Sequence, residues 1–380
     1  RDVPGFANSA MDGYAVRAAD IASASESNPV RLRVLETVAA GMMPTCQVRT
    51  GEASRTMTGA PIAEGADAIV PVERTRGTQA LVEILASAEK GAFVRPRGED
   101  LRRGDHVIAT GKALSAADIG MLASLNRAII DIYRRPHVAI VATGDELVDI
   151  DQVPTGAQVV NSSAYALAAA ISEAGAEPVI LKVARDRAEE VKDRLTEALA
   201  FDVVLSTGGV SVGQFDHVKQ VLDDLGLRQL FHGVAQKPGR PLKFGTINDK
   251  PVFGLPGNPV STMVCFYLYV RPALRKMGGR RAFGLPRISV RCATDIRIAS
   301  GLTEFVRVTL ERRDGKFFAA PTGNQSSGVL SSLGRADALL IGPREVSLLR
   351  AGDQATVLVL EAAAAADMEA FFEARLRQAN

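Results

Sequence analysis

Between Pro136 and Gly284, short apolar runs alternate with longer stretches of helical period. His137–Ala142, Pro178–Val183, Asp202–Ser206 and Val252–Leu255 are nearly continuous apolar runs, the pattern of strands buried on both faces. Ser163–Ala174, Arg187–Ala200, Val218–Leu225 and Val260–Met277 have helical length and period. That alternation predicts an α/β domain with a parallel sheet. Upstream, residues 1–97 hold short β segments such as Val30–Val38, Ala68–Val72 and Leu81–Leu85, separated by Gly41, Gly51, Gly59 and Gly77, which predicts a small β-rich domain. A linking part, 98–135, contains a predicted helix Ala116–Leu125 with Ser115 as its N-cap. After Gly284 the β pattern returns in Arg287–Ala293, Glu304–Leu310, Lys316–Ala320, Ala338–Ile341 and Gln354–Glu361. These predict a compact barrel or sandwich over 285–361, followed by a surface tail helix over 362–380.

Composition changes this picture little. With 47% hydrophobic residues, 5% aromatics and no Trp, Ala, Val, Leu and Ile must fill the cores. The net charge of +2 gives no argument for nucleic acid or an anionic membrane. The most apolar stretch, Val260–Leu274, is too short and too interrupted to span a bilayer. Cys46, Cys265 and Cys292 form no CxxC pair, and His106, His137, His217 and His232 have no metal-ligand spacing. Three sparse cysteines fit a reducing cytoplasm. The chain opens on Arg1, so it is read as a fragment or a processed form.

Candidate chemistry lies where the predicted strands end, because open parallel sheets bind ligands at that edge. The turns there are Thr143-Gly144-Asp145-Glu146, Ser206-Thr207-Gly208-Gly209-Val210-Ser211-Val212-Gly213 and Gly254-Leu255-Pro256-Gly257-Asn258-Pro259. Glycine lets backbone N–H groups approach an oxyanion, and a following helix N-terminus adds positive potential. One such turn alone reads more readily as a plain strand-to-helix connection; three on one edge point to a phosphate-bearing ligand. Asp145, Glu146, Asp186 and Asp216 sit in or beside these turns. A hard cation such as Mg²⁺ would reconcile acids with a bound phosphate; helix capping is the alternative for Asp186. The segment Gln236-Lys237-Pro238-Gly239-Arg240-Pro241-Leu242-Lys243 interleaves three cations with Pro and Gly, either an oxyanion loop or a solvated turn.

Several strings occurring in order, NSAMDGYAV (Asn8–Val16), Met57-Thr58-Gly59-Ala60-Pro61, Arg97-Gly98-Glu99-Asp100, Thr143-Gly144-Asp145-Glu146-Leu147, Gly208–Gly213, Lys237-Pro238-Gly239 and Gly254–Pro259, resemble the MoeA-type molybdenum insertases, relatives of the gephyrin E domain. The resemblance covers nearly the whole chain. It implies a multidomain α/β plus β fold: a central MogA-like α/β molybdopterin-binding domain, a β-rich N-terminal domain and a C-terminal β-barrel domain. Residues 98–135 would then belong to an elongated linking and dimerisation domain of a homodimer. The implied reaction inserts molybdate into adenylylated molybdopterin with release of AMP, assisted by Mg²⁺ or Zn²⁺. A MogA-type adenylyltransferase and recipient molybdoenzymes are the implied partners, with no nucleic acid and no membrane, in the cytoplasm. By the same resemblance Asp186, Asp216 and Glu146 are matched to the metal and to catalysis. Asp12, Thr58 and Asp100 are matched to positions that reach the cleft from the neighbouring subunit. Thr143, Gly144, Asp145, Gly208, Gly209, Ser211, Gly213, Pro256, Gly257 and Asn258 are matched to the pterin nucleotide. Lys237, Pro238, Arg240, Arg307 and Ser327 are matched to molybdate, with Ser326 as the alternative to Ser327.

Ala7, Gly233 and Arg240 depart from frequent family residues (Asp, Lys and Lys). The resemblance implies a helical segment before NSAMDGYAV, which a sequence opening on Arg1 would leave out. Two other readings compete: a non-catalytic scaffold that uses only the pterin pocket, and a nucleotide pyrophosphatase related to competence-damage proteins.

Overall fold

The computed structural model describes residues 1–77, 80–209, 217–299 and 301–360. The chain divides into two compact units, Arg1–Asp131 and Ile132–Asn380.

In the first unit a six-stranded sheet runs in the order Ala68–Pro71, Gly13–Val16, Glu52–Thr56, Val30–Val38, Leu81–Ile84, Thr75–Gly77. All pairings are antiparallel except that between Val30–Val38 and Glu52–Thr56. Tyr14, Val16, Leu32, Val70, Val82 and Ile84 fill its core. The predicted helix forms as Ala116–Ser124. Its N-terminus is closed by a capping box: Asp118 N–H donates to Ser115 Oγ at 3.3 Å, and Ser115 N–H returns a bond to Asp118 Oδ2 at 2.9 Å. Lys112 Nζ lies 2.6 Å from Asp118 Oδ1. The Lys112 contact and these Ser115 donors hold the Asp118 carboxyl down at about 2.

The second unit contains the predicted α/β layer. Its sheet order is Glu177–Ile180, His137–Ala142, Val203–Thr207, Lys250–Leu255, Lys243–Ile247, Arg228–His232. The first four strands are parallel, as expected. The last two are antiparallel additions, so the sheet is mixed rather than parallel throughout. The hairpin joining Lys243–Ile247 to Lys250–Leu255 turns at Asn248 and Asp249, with φ of 49° and 61°, the left-handed pair that a two-residue hairpin turn requires. Apolar residues cover both faces of the parallel strands. Val138, Ile140, Val203, Leu205, Phe253 and Leu255 pack on one side, with the helices Ser162–Glu173 and Pro259–Cys265. Ala139, Val141, Val204 and Val252 pack on the other, with Ala188–Ala198 and His217–Asp224.

The predicted helix Val260–Met277 is not continuous. A π-helical turn, Phe266–Val270, separates Pro259–Cys265 from Arg271–Met277. Pro272 has no N–H for an α-helical bond and its ring would strike the carbonyl one turn back. The π turn widens the helix just before it, with Arg271 N–H bonded to Phe266 O.

Strands Arg287–Cys292, Thr303–Arg313, Lys316–Pro321, Ala338–Gly342 and Gln354–Val359 close on one another into a barrel. Val290, Val306, Val308, Leu340 and Val357 fill it. Phe305, Leu339 and Leu358 share the apolar core of the α/β layer, so layer and barrel are packed as one body. The tail predicted over 362–380 lies outside the described residues. Among the described residues no helix is long and apolar enough to cross a membrane.

Candidate functional site

The strand order places the topological switch point between His137–Ala142 and Val203–Thr207, from which the chain leaves toward opposite faces of the sheet. The glycine turns meet there. Gly208, at φ +84°, lies against Thr143: a Cβ at Gly208 would stand 2.9 Å from the Thr143 carbonyl oxygen. A larger residue would push the two turns apart. The third turn joins them, since a Cβ at Gly257 would be 3.6 Å from Gly208 Cα. Thr143 N–H donates to Thr207 O at 3.2 Å, and Gly208 N–H to Leu255 O at 3.3 Å. Thr143 Oγ1 and Ser206 Oγ are buried at this edge without a hydrogen-bond partner among the described residues. Native proteins rarely leave such hydroxyls unpaired, and an oxyanion or water at the edge would satisfy them.

Acids gather beside these turns. Asp186 N–H donates to Asp145 Oδ1 at 3.2 Å, and Arg185 Nη1 donates to the Asp145 carbonyl at 2.8 Å. The turn after the second strand is thereby tied to the turn after the first. The helix Ala188–Ala198 has Arg187 as its N-cap and no side-chain cap bond, so Asp186 is not spent on capping. Asp186 and Glu146 are both exposed. Glu146 curls over Gly144, where a Cβ would lie 2.5 Å from Glu146 Oε2. Gly209 follows Gly208 with φ +62°. Ser211, Gly213 and Asp216 lie outside the described residues. Among the described residues no three His, Cys, Asp or Glu side chains stand ready to hold a metal. The set matched to the metal, Asp186, Asp216 and Glu146, includes one residue outside the described ones; carboxylate oxygens are the donors Mg²⁺ takes.

The basic loop builds a second region, at the seam between layer and barrel. Gln236–Lys237 pairs in parallel with Thr303–Glu304. Behind the loop, Gln236 Nε2 donates to Pro238 O at 2.9 Å and Tyr269 OH donates to Gln236 Oε1 at 2.7 Å. The π turn thus presents Tyr269 to the loop. Gly239, at φ +94°, leaves no room for a side chain, since a Cβ would fall 2.5 Å from Cys265 Sγ. Burial pushes the Cys265 thiol up to about 12, so at neutral pH it is an inert packing group.

In front of the loop lies a cavity of about 660 Å³, lined by Lys237, Pro238, Arg240, Ser326, Ser327 and Glu304 among others. Lys237 and Arg240 both line it; Lys243, the third cation of the loop, is buried elsewhere against Asp223 at 3.2 Å. Ser327 Oγ accepts from Asn258 Nδ2 at 3.0 Å, and Ser327 O accepts from Val260 N–H at 3.1 Å. Asn258 is the N-cap residue of Pro259–Cys265 but makes no side-chain cap bond there. Gly257 and Asn258 therefore connect the two regions, one packed on Gly208 and the other bonded to the cavity wall.

Arg307 has a different place from the one its sequence match implies. It is only 1% exposed and is absent from the cavity lining. Its guanidinium donates to Ser332 Oγ at 3.1 Å, Ser326 O at 3.1 Å and Asn324 O at 3.5 Å, holding the 324–327 loop from behind. Burial lowers its pKa from the ordinary arginine value, opposed by the charge of Glu304. Glu304 is a site residue that sequence reasoning misses. Its side chain is 7% exposed, with Lys237 Nζ at 2.9 Å from Oε1 and Ala299 N–H at 2.5 Å from Oε2. A lone Glu at the start of a strand carries no sequence signal; only the register of Lys237 against Glu304 reveals the pair.

In the first unit, Asp12 and Thr58 meet. Thr58 N–H and Oγ1 both donate to Asp12 Oδ1 at 2.7 Å, and these bonds lower the Asp12 pKa. Asp100 is exposed in the turn at 96–101, its N–H bonded to Val3 O at 3.0 Å, and its carboxylate joins neither Asp12 nor Thr58.

Comparison with known proteins fits this geometry. The chain matches the "MoeA N-terminal region (domain I and II)" over residues 1–126, the "Probable molybdopterin binding domain" over 139–276 and the "MoeA C-terminal region (domain IV)" over 289–360. It is 36% identical to the molybdopterin molybdenumtransferase of Nostoc sp., covering 94% of this chain and 84% of that protein. It is also 36% identical to molybdopterin molybdenumtransferase 2 of Mycobacterium tuberculosis, over 93% and 89% of the two chains. A crystal structure of a molybdopterin biosynthesis MoeA protein from Pyrococcus horikoshii superposes with a TM-score of 0.83 at 33% identity, covering 94% of this chain and 88% of that one.

Proposed function

The chain belongs to the MoeA family of molybdopterin molybdenumtransferases, transferases of molybdenum cofactor biosynthesis, and from that premise we propose that it inserts molybdate into adenylylated molybdopterin and releases AMP. The observation that carries the reading is the pairing of a glycine-built strand edge with a separate cationic, hydroxyl-lined cavity, joined through Gly257 and Asn258. A phosphoanhydride suits the first and a free tetrahedral dianion the second.

At the strand edge, the backbone of 143–144, 208–209 and 256–257 lies close to the diphosphate of the substrate, and the hydroxyls of Thr143 and Ser206 donate to its oxygens. Asp186, Asp216 and Glu146 would hold Mg²⁺, which would neutralise phosphoanhydride charge when bound. As water attacks phosphorus the bridging P–O bond of the phosphoanhydride breaks, the water's proton is lost to solvent, and AMP and the pterin phosphate separate. In the cavity, Lys237 and Arg240 offset the two charges of molybdate while Ser326 and Ser327 donate hydroxyl hydrogens. The two dithiolene sulfurs of the pterin then bond to molybdenum as one molybdate oxygen leaves as water, carrying off the two thiol protons.

Asp12, Thr58 and Asp100 enter this proposal as groups that a second copy of the chain contributes in a homodimer. An adenylyltransferase supplies the substrate, and molybdoenzymes receive the product.

The test is AMP release from adenylylated molybdopterin, with and without molybdate and Mg²⁺, for the wild-type chain and for Asp186→Asn and Asp216→Asn. Release that requires both additions and collapses in the variants is expected. Tight pterin binding without AMP release would replace the enzyme with a carrier.

A further inference from the structure

We propose that Glu304 sets the oxyanion affinity of the seam cavity: it fixes the head of Lys237 and holds the cavity to one net positive charge, so that a dianion binds reversibly. The inference rests on reading that cavity as the molybdate site.

Charges on the cavity wall are few. Among the described residues lining it, Lys237 and Arg240 are cationic and Glu304 is the acid. Lys237 is held at 2.9 Å by Glu304, whereas Arg240 makes no ion pair with any described residue of the lining. The two partners differ in exposure: the Lys237 side chain is 50% exposed and that of Glu304 only 7%. Both carboxylate oxygens of Glu304 are engaged, one by Lys237 Nζ and one by Ala299 N–H. The carboxylate therefore cannot swing away when an anion arrives. An ammonium has three donors; Glu304 takes one and leaves the others for the cavity.

A fixed, desolvated carboxylate one lysine head away from a bound dianion repels it, and the repulsion scales with the charge of the ligand. The arrangement thus trades affinity for release. A transferase that passes molybdenum onward needs its oxyanion to leave the cavity in each turnover. Lys237 and Glu304 also line the adjoining cavity of about 400 Å³, with Arg297 and Gln325. The pair therefore faces both spaces, the second of which also carries Asp295.

A purely structural role for Glu304 makes a different prediction, and a double-mutant cycle separates the two. Molybdate, a dianion, and perrhenate, a tetrahedral monoanion, are titrated by calorimetry into wild type, Glu304→Gln, Lys237→Met and the double variant. Thermal unfolding of each protein is followed alongside. Glu304→Gln is expected to bind molybdate roughly tenfold more tightly and perrhenate roughly threefold, the smaller gain following the halved ligand charge. Lys237→Met is expected to weaken molybdate binding, and adding Glu304→Gln to it to restore about tenfold. If Glu304 only holds Lys237 in place, its removal has no effect once the lysine is gone. An unchanged affinity between Lys237→Met and the double variant would overturn the proposal, as would weaker molybdate binding in Glu304→Gln. Should Glu304→Gln fail to fold, the double variant, which keeps neither charge at the seam, still carries the comparison with Lys237→Met. Absence of molybdate binding by the wild-type chain would bring down the reading of the cavity itself, a result distinct from wild-type binding that Glu304 does not tune.

Discussion

The strand-end turns and the seam cavity lie on either side of Gly257 and Asn258, yet they are made of different materials. At the strand ends the outward groups are backbone and acids: Gly144, Gly208, Asp145, Glu146 and Asp186, with two buried hydroxyls that have no partner among the described residues. At the seam they are side chains: Lys237, Arg240, Ser326 and Ser327, with one buried acid. A phosphate on a sheet edge is held by shape, where only glycine permits close approach. A free oxyanion has no tether and must be held by charge. On the proposed function, the same chain would use close packing for one task and electrostatics for the other.

Severing the acids from the cations gives the largest expected effect. In the double variant Asp145→Asn/Asp186→Asn, AMP release should fall by about a hundredfold or more, the scale for removing a preorganised charged group. Molybdate binding measured by calorimetry should stay within about twofold, since distant independent sites respond separately. If both fall together, the two regions are one site.

Next come the glycines. Gly239→Ala puts a Cβ 2.5 Å from Cys265 Sγ at φ +94°. Backbone strain and overpacking together should cost about 3 kcal/mol in urea unfolding, with loss of molybdate binding and retention of nucleotide binding. Gly208→Ala, with the Thr143 carbonyl oxygen at 2.9 Å, should cost about 2 kcal/mol and show the reverse pattern of ligand loss.

Asn258→Ala removes the bond to Ser327. It should cost about 1 kcal/mol of stability and uncouple the regions, so that molybdate no longer accelerates AMP release although each ligand still binds. Retained coupling in this variant would assign the connection to Gly257 alone.

The smallest effect lies in the other unit and serves as a control. Asp118 has its folded pKa lowered to about 2 from an ordinary 3.8. Its contribution to stability is present above the ordinary value and is lost as pH falls through about 2. The stability gap between wild type and Asp118→Asn should narrow over that window, with neither ligand affinity at neutral pH altered.

Much of this is legible in the sequence because apolar runs and glycine turns are local signals. The four parallel strands, the Ser115 cap and the barrel strands all follow from period and punctuation. The antiparallel hairpin around Asn248 and Asp249 is harder to read because its strand Lys243–Ile247 alternates weakly, although the turn dipeptide itself is a usable sign. Pro272 likewise marks the break in the long helix. The placement of candidate site residues is legible where it depends on turns, as at Gly208 and Gly257. It is not legible where it depends on which side chains face each other. The burial of Lys243 against Asp223, the retreat of Arg307 behind the 324–327 loop and the grip of Glu304 on Lys237 are long-range pairings. Spacing along the chain says nothing about them.

The division of labour between the two regions is tested most directly by anomalous diffraction at the molybdenum edge from crystals holding molybdate. The account predicts a single molybdenum peak in the seam cavity, within hydrogen-bonding reach of Lys237, Arg240 and Ser327 through its oxygens. A peak at the Gly144 and Gly208 turns, with none beside Lys237, would contradict it.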